Sequence, residues 1–456
     1  MPATLAAPPE ISAAFRARRT QNWMLLGILY ALFYMSRYNY TATSAYIAGV
    51  LHWTNAQLGS FETVMPLVYG LSVFLNGPIA DRIGGKRAFL FGTLGAAAMN
   101  FTFGAVLAHA IATGGRVPGL VPILLLVWAV NGFFQSFGAL SIVKVNAHWF
   151  HILERGTFAG IFGVLIRFGL ILAFSGSPLI LKYLSIAWVF WIPGGLLLLF
   201  FVLNFFFMED SPGAAGLGEY ETGDGDGGTG HAPLGFVLRK VFTSRVALTV
   251  AGASMMVGFV RRSAIDAWWP KYFADVFHAD PKAFATYAPY QIASWGIALA
   301  GIAGGFAFGI ASDRIYAGRR GPVIMFGFLG MASLLGLLSF TNHLHLGPYV
   351  AASLLVTLSF FVNGAHGMIG GAASMDFGGK KAAATAAGLF DGMQYVAASV
   401  VGHTMGALID ASGWKYWSVA ALPFALLGAG LAATLWNAVP ERRRVARDPL
   451  PVAKAS

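Results

Sequence analysis

The stretch "GPIADRIGGKR" (residues 77–87) occurs a second time in similar form, as "GIASDRIYAGRRG" (residues 309–321). Each copy joins a helix end built from small residues to an Asp-Arg pair and then to a cluster of basic residues. Such a turn can hold one helix end against its neighbour through ion pairs. We therefore expect the charged side chains of both copies to act as gating or structural charges: Asp81, Arg82, Asp313 and Arg314. The repeat predicts two related halves.

The sequence around both copies is typical of a polytopic membrane protein. Of its 456 residues, 57% are hydrophobic and only 11% are charged, which is far more apolar than a soluble domain. Apolar segments repeatedly reach about 20 residues, the length that a helix needs to cross a bilayer. We predict about twelve transmembrane helices, at approximately 23–50, 58–80, 88–112, 119–147, 157–182, 185–208, 244–276, 285–311, 322–343, 347–376, 382–411 and 416–438.

The predicted helices divide into two groups of six. We expect an N-terminal bundle at 23–208 and a C-terminal bundle at 244–438, with an N-terminal tail at 1–22 and a basic tail at 439–456. Residues 209–243 are rich in Gly and acidic residues, which cannot bury enough apolar surface to fold. They are predicted to form a flexible cytoplasmic linker.

The net charge of +11 is distributed unevenly along the chain. Most Lys and Arg residues lie in the two tails and in the even-numbered loops between predicted helices. This is the positive-inside pattern, so we expect both termini in the cytoplasm and no nucleic-acid partner. The chain has no Cys, which excludes disulfides, thiolate metal sites and cysteine nucleophiles. Catalytic and phosphate-loop motifs are absent, and we expect no enzyme activity, no cofactor, no metal and a functional monomer.

Arg37 lies in the middle of the first predicted span, within "FYMSRYNYTATSAYI" (residues 33–47). A charged side chain at the bilayer centre costs roughly 2.5–3.5 kcal/mol on insertion scales and marks a functional site by default. None of its neighbours at helical spacing is acidic: Phe33, Tyr34, Tyr40 and Thr41. Arg37 is therefore either an anion ligand or the partner of a carboxylate on another helix.

Two further arginines lie in the seventh predicted span. Arg262 and Asp266 are four residues apart, so on an α-helix they can neutralise each other. That arrangement would leave Arg261 free and facing the ligand. Two guanidinium groups from opposite halves suit a tetrahedral dianion, since each can donate parallel hydrogen bonds.

The chain resembles the organophosphate:phosphate antiporters of the major facilitator superfamily, typified by bacterial glycerol-3-phosphate and hexose-phosphate transporters. The resemblance covers nearly the whole chain. It is carried by these motifs: "YMSRYN" (34–39), "DRIGGKR" (81–87), "WFHILERG" (149–156), "EDSPGAAGLGEY" (209–220), "RRSAIDAWWPKYF" (261–273), "SDRIYAGRRG" (312–321) and "DFGGKKAAATAAG" (376–388). It implies an all-α membrane protein with the major facilitator fold, two pseudo-symmetric six-helix bundles around one central site.

The resemblance also implies that Arg37 and Arg261 face each other near mid-membrane and grip the phosphoryl group. The sequence departs from the glycerol-phosphate pattern at three places: Val73 stands for a lysine, Ile166 for a histidine and Ala298 for an acidic residue.

Arg167, next to the missing histidine, is a candidate third anion ligand. It could equally pair with Glu62 or Asp391 as a structural bridge. The side chains of Tyr38, Asn39 and Tyr40 are candidate contacts to a polar substrate, although Asn39 lies on a different face from Arg37 and aromatic residues often only pack.

The function that these features predict is inner-membrane exchange of an organic phosphate for inorganic phosphate by alternating access. The organic phosphate would be a sugar phosphate, glycerol phosphate or phosphorylated acid, and the plausible direction is inward. Two alternatives remain: a proton-coupled symporter of an organic carboxylate such as a sugar acid, and a transporter-like organophosphate sensor.

Overall fold

The computed structural model describes residues 10–151, 154–223, 243–344 and 346–438, and all of their side chains except those of 155–159, 341–343 and 371–389. Regular secondary structure in these ranges is helical, without a strand. Most of the predicted linker and the predicted basic tail, residues 224–242 and 439–456, lie outside the described residues.

Fourteen α-helices are described, and short π-helical segments extend several of them. The first group comprises α1 (Ala13–Leu51), α2 (Asn55–Ile83), α3 (Gly85–Ala112), α4 (Leu120–Trp149), α5 (Arg155–Ile171), a π-helical segment (Leu172–Gly176), α6 (Ser177–Tyr183) and α7 (Ile186–Phe207). The second group comprises α8 (Arg245–Val260), a π-helical segment (Arg261–Asp266), α9 (Trp269–Val276), α10 (Ala288–Ile310), a π-helical segment (Ala311–Ile315), α11 (Arg320–His343), α12 (Pro348–Gly367), a π-helical segment (Met368–Ala373), α13 (Ser374–Ser412) and α14 (Leu422–Thr434).

Eight spans in the described part of the chain are long and apolar enough to cross a membrane, or up to nine if a bent pair counts as one. The bent pair, Phe390–Tyr416 with Val419–Thr434, turns through 112° and covers the last two predicted spans. The other two predicted spans outside this set are α1, which contains Arg37 and many polar side chains, and 244–276, which is divided into α8, a π-helical segment and α9.

The two groups of helices pack internally and meet along three seams. In the first group α3 packs on α4 and α7, and α1 on α5 and α7; in the second α10 packs on α12, and α8 on α13 and α14. Between the groups α2 packs on α13, α5 on α10, and α1 on α9. A small cavity lies beside the first of these seams.

Glycines allow α2 and α13 to approach backbone to backbone. A Cβ atom on Gly402 would overlap the backbone of Gly59 and Thr63, and one on Gly406 would overlap that of Asn55. Small residues at such positions let helices in a membrane pack closely. These glycines therefore allow the close contact of α2 with α13 between the two groups.

Asp410 joins the two groups of helices at the end of the molecule where α1 ends and α2 begins. We call this end the opposite face, because it lies opposite the end that carries the two repeated motifs. Its carboxylate accepts hydrogen bonds from the backbone N–H groups of Asn55 (2.9 Å) and Ala56 (2.8 Å). The first N–H groups of a helix lack partners within the helix. A carboxylate on α13 thus caps the N-terminus of α2.

The two copies of the repeated motif lie at the other end, which we call the basic face. Asp81 lies 3.1 Å from Nζ of Lys144 on α4, and Asp313 lies 2.8 Å from Nη1 of Arg320 on α11. Arg82 and Arg314 are exposed. In both groups the motif's carboxylate ties a helix end to a neighbouring helix of the same group.

Residues 209–223, the start of the predicted linker, pack against the first group at the basic face. Glu209 forms a 3.1 Å ion pair with Lys86, and its carbonyl oxygen accepts a hydrogen bond from the indole of Trp149. Asp210 accepts a 2.6 Å hydrogen bond from the backbone N–H of Lys86. Composition alone did not predict this packing, because it depends on partners far away in the chain.

Candidate functional site

A small cavity lies between α1, α2, α4, the π-helical segment Arg261–Asp266 and α13. Ten residues line it: Arg37, Tyr38, Thr41, Glu62, Met65, Pro66, Tyr69, Trp128, Arg262 and Tyr395. Its volume of about 20 Å³ is enough for about one water molecule. Both groups of helices contribute to its wall.

Arg37 lines the cavity and has no carboxylate partner among the described side chains. It is 5% exposed, and its Nε and Nη2 donate to Oε1 of Gln135 at 3.4 and 3.2 Å. Its guanidinium lies over the rings of Tyr34 (4.9 Å) and Tyr69 (4.3 Å), an arrangement that attracts a cation electrostatically. Its Nη1 is buried and has no hydrogen-bond partner in the same part of the chain. The positive charge of Arg37 is thus held by neutral groups.

Gln135 completes this arrangement from α4, and nothing specific in the sequence pointed to it. Its Nε2 donates a 2.9 Å hydrogen bond to Ser36, the residue before Arg37. This bond fixes the amide so that its oxygen faces the guanidinium. The amide side chains of this apolar helix are visible in the sequence, but the contact of Gln135 with a residue of α1 is not.

The predicted pairing in the seventh span is wrong. Asp266 lies 2.8 Å from Nε of Arg261, whereas Arg262 forms an ion pair with Glu62 on α2. The prediction assumed an α-helix, but residues 261–266 are wound as a π-helix. The π-helical repeat brings residues i and i+5 into register instead of i and i+4.

Arg261 is therefore not free, because Asp266 lies within ion-pair distance of its guanidinium. Its Nε is close to Asp266, yet the N–H does not form an aligned hydrogen bond. The hydroxyl of Tyr38 donates to the same carboxylate at 3.4 Å. Arg261 and Asp266 do not line the cavity, whereas Tyr38 and Arg262 do.

Arg167 contacts neither of its two predicted partners. Its Nη2 donates to Oδ1 of Asn363 on α12, and a Cβ on Gly301 of α10 would lie 3.2 Å from its Cζ. Glu62 pairs with Arg262 instead. Asp391 forms no ion pair with a described residue, but its carboxylate lies within electrostatic range of Arg37 and Arg261. Neither of the two ion pairs left open for Arg167 is present among the described residues, because Asn363 on α12 accepts the hydrogen bond of its guanidinium instead. Its role as an anion ligand stays a prediction.

Asn39 and Tyr40 lie away from the cavity. The Asn39 amide donates to Oδ1 of Asn100 at 2.9 Å, inside the first group. The Tyr40 hydroxyl donates to the carbonyl of Leu58 at 3.2 Å, and its ring stacks on Phe61. The structure therefore brings Arg37 and Tyr38 to the cavity and leaves these two residues in packing positions.

The comparisons with known proteins agree on a family of membrane transporters. The sequence profile of the Major Facilitator Superfamily matches residues 26–403. A probable hexose phosphate transport protein of Chlamydia pneumoniae is 26% identical over 95% of this chain and 94% of its own. The glycerol-3-phosphate transporter of Bacillus subtilis is 27% identical over 94% of each chain. A membrane sensor protein of Escherichia coli is 24% identical over 89% of each chain.

A solved structure shows the same fold. It is a bacterial homologue of the human lysosomal transporter Spinster in an inward-facing, unoccupied conformation, with a TM-score of 0.70 and 14% identity. The alignment covers 93% of this chain and 98% of that one. The predicted fold and the resemblance seen in the sequence motifs are both confirmed.

Proposed function

The chain belongs to the Major Facilitator Superfamily, whose members are transporters and not enzymes, and from this premise we propose that it exchanges an organic phosphate for inorganic phosphate. The names of its relatives support an organic phosphate as substrate, since they include transport proteins for hexose phosphate and glycerol 3-phosphate.

The observation that carries this proposal is the environment of Arg37. Arg37 is a buried guanidinium without an ion-pair partner among the described residues. It contacts an amide and two aromatic faces, and the carboxylate that acts on it, Asp391, does so only at longer range. Such a guanidinium suits the binding of an anion. Its Nη1 still lacks an acceptor there, and a phosphoryl oxygen is a suitable one. The cavity wall comes from both groups of helices, so an anion bound there contacts both.

We propose Arg261 as the second phosphate ligand. In the structure Asp266 lies at the position that a bound anion would occupy beside this guanidinium. A phosphate monoester carries about −1.5 to −2 charges near neutral pH, which Arg37 and Arg261 together balance once the anion has displaced Asp266 from Arg261. Arg167, whose Nη2 donates to the neutral amide of Asn363, is a candidate third ligand for a substrate with a further anionic group.

Exchange follows from the charge of the empty site. Without a bound anion, Arg37 opposes any change that buries it further, so the two access states interconvert slowly. A bound phosphate or organic phosphate neutralises the site and lowers that barrier, because it binds the intermediate closed arrangement better than the open ones.

The remaining assignments follow the same proposal. We place the protein in the inner membrane as a multi-pass monomer with both termini in the cytoplasm. Its two bundles are residues 23–208 and 244–438, and they rock about the central site in alternating access.

The test is counterflow in proteoliposomes loaded with inorganic phosphate, against a panel of phosphorylated and carboxylated compounds. We expect sugar phosphates, glycerol phosphate or phosphorylated acids to exchange. Arg37→Lys keeps the charge but loses the planar fork, so exchange should fall at least about tenfold with normal membrane insertion. Arg116→Lys, at an exposed position between α3 and α4, is the matched control and should transport normally.

Near-normal exchange in Arg37→Lys would remove the central claim. Uptake of carboxylates alone, driven by a pH gradient without internal phosphate, would replace antiport by proton-coupled symport.

The sensor relative favours a second candidate function. A protein that binds organic phosphate at the same site in order to signal would show ligand-dependent thermal stabilisation with little flux. The same proteoliposome preparation distinguishes the two, because binding and exchange can be measured side by side.

A further inference from the structure

We propose that the buried ion pair of Glu62 and Arg262 is a second subsite of the cavity, which recognises hydroxyl groups on a phosphorylated polyol or sugar. This inference rests on the proposed function, because it needs the phosphoryl group at Arg37. The Glu62–Arg262 subsite would contact the part of the substrate that Arg37 does not contact.

The pair lies in the wall of the same cavity as Arg37. Glu62 and Arg262 are each 6% exposed. Nη2 of Arg262 donates to the carboxylate of Glu62 and also to its main-chain oxygen, at 2.9 Å. The hydroxyl of Thr41 donates to Oε1 of Glu62 at 2.6 Å. Thr41 lies in the cavity wall as well.

Both members of the pair keep unused hydrogen-bonding capacity. Nε of Arg262 is buried without a hydrogen-bond partner in the described part of the chain. A carboxylate offers about four acceptor positions, and Glu62 uses one oxygen for Thr41 and the other for Arg262. One donor and additional acceptor positions therefore remain on two residues that line the cavity.

The charges distinguish the two subsites. Arg37 has no carboxylate partner among the described side chains, so it favours an anion. Arg262 is neutralised by Glu62, so this pair adds no net charge and favours a neutral polar group. A hydroxyl, which both donates and accepts, matches an N–H donor next to a carboxylate acceptor. A buried ion pair is itself weak evidence for stability, which favours recognition as the reason for its place in the wall.

The spacing limits the length of the substrate. Arg37 and Thr41 are four residues apart on α1, so their Cβ atoms lie about 5–6 Å apart on one face of the helix. The Arg37 guanidinium lies several ångströms beyond its Cβ, but Arg37, Thr41 and Glu62 all line the same small cavity. We therefore expect a phosphoryl group at Arg37 to leave the next few carbons of the ester within reach of Thr41 and Glu62. Inorganic phosphate reaches only the first subsite.

Two phosphate esters of equal length test the inference: glycerol 3-phosphate, and n-propyl phosphate, which lacks the hydroxyls. Each is measured as an inhibitor of the exchange of labelled inorganic phosphate in proteoliposomes, and also by thermal stabilisation of the purified protein. The wild type should prefer glycerol 3-phosphate by about tenfold or more, as expected of hydrogen bonds to charged groups. In Glu62→Gln and Arg262→Lys this preference should fall to near one.

Thr63→Val is the matched control, because Thr63 is the next residue of α2 and donates to Ser399 of α13 at 2.7 Å, outside the cavity wall. It should keep the wild-type preference. Thr41→Val leaves the ion pair in place and serves if Glu62→Gln does not fold; it should reduce the preference by a smaller factor.

The outcomes separate the two proposals. A wild type without phosphate exchange, but stabilised more by glycerol 3-phosphate than by n-propyl phosphate, overturns antiport and supports the subsite. A wild type that exchanges phosphate without distinguishing the two esters overturns the subsite. So does Glu62→Gln if it retains the preference.

Discussion

At the scale of single residues, the sequence was most informative for Arg37. Its position in an apolar span without an acidic neighbour predicted a buried charge, and the structure shows one, held by Gln135 and two tyrosines. The partners of Arg261 and Arg262 could not be predicted in the same way. One depends on a local change of helical winding, and the other lies 200 residues away.

Asp266→Asn should expose the charge of Arg261. Since removing one member of a buried pair leaves an uncompensated charge, we expect lower thermal stability without phosphate. Added inorganic phosphate should restore more stability in this variant than in the wild type, because it no longer competes with the carboxylate. Thermal unfolding with and without phosphate measures both effects.

Asp275→Asn provides the control for that comparison. Asp275 pairs with Lys271 at 2.7 Å outside the cavity, so its removal should not change the response to phosphate. Equal responses in the wild type and Asp266→Asn would show that Arg261 does not bind the anion.

Arg167→Gln should weaken a phosphorylated acid more than inorganic phosphate, by about 1.5–3 kcal/mol, the value of a hydrogen bond to a charged group. The reason is that inorganic phosphate is already balanced by two arginines, whereas a second anionic group needs a third. Competition against labelled phosphate gives both affinities. Equal losses for every anion, together with lower thermal stability, would instead make the contact with Asn363 structural.

At the scale of elements, apolar length predicted most of the helices, and paired motifs predicted that they form two related groups. The change from α-helical to π-helical winding at residues 261–266 was not predictable. The residue types in this segment occur equally in α-helices, so they carry no signal for the change. The close seam between α2 and α13 was also not predicted. Its glycines are visible in the sequence, but glycine is frequent throughout this chain.

Gly402→Ala should separate α2 from α13 near the opposite face, because the added methyl group meets the backbone of α2. The chain contains no Cys. Spin labels attached to two introduced cysteines, Val50→Cys and Lys415→Cys, would therefore be the only labels in the protein. We expect their distance distribution to shift to longer values. Gly195→Ala, where nothing lies within 4 Å of the added atom, should leave it unchanged, and an unchanged distribution in Gly402→Ala would show that the seam yields elsewhere.

At the scale of the whole molecule, the placement of charge carries the prediction of orientation. The net charge is +11, and the basic clusters of the two repeated motifs lie at one face. The structure shows which loops share a face, but a bilayer potential and the insertion machinery determine which face is cytoplasmic.

Single cysteines test that orientation. Glu10→Cys and Ala455→Cys, near the two ends of the sequence, should react with a membrane-impermeant thiol reagent only after the cells are permeabilised. Lys415→Cys at the opposite face should react in intact cells. Labelling of the terminal cysteines in intact cells would reverse the proposed topology.

The cap that Asp410 places on α2 gives the resting protein a preferred side. When the two groups of helices separate at the opposite face, the first N–H groups of α2 lose this acceptor. The N-cap Thr54 stays in place, and an exposed acidic side chain near a helix N-terminus contributes about 0.3–1 kcal/mol, which corresponds to a population ratio of about 2 to 5 between the two arrangements. We therefore expect Asp410 to favour the arrangement with the opposite face closed in the unloaded protein, and the hydrogen bonds of one bound anion, at about 1.5–3 kcal/mol each, to outweigh this preference.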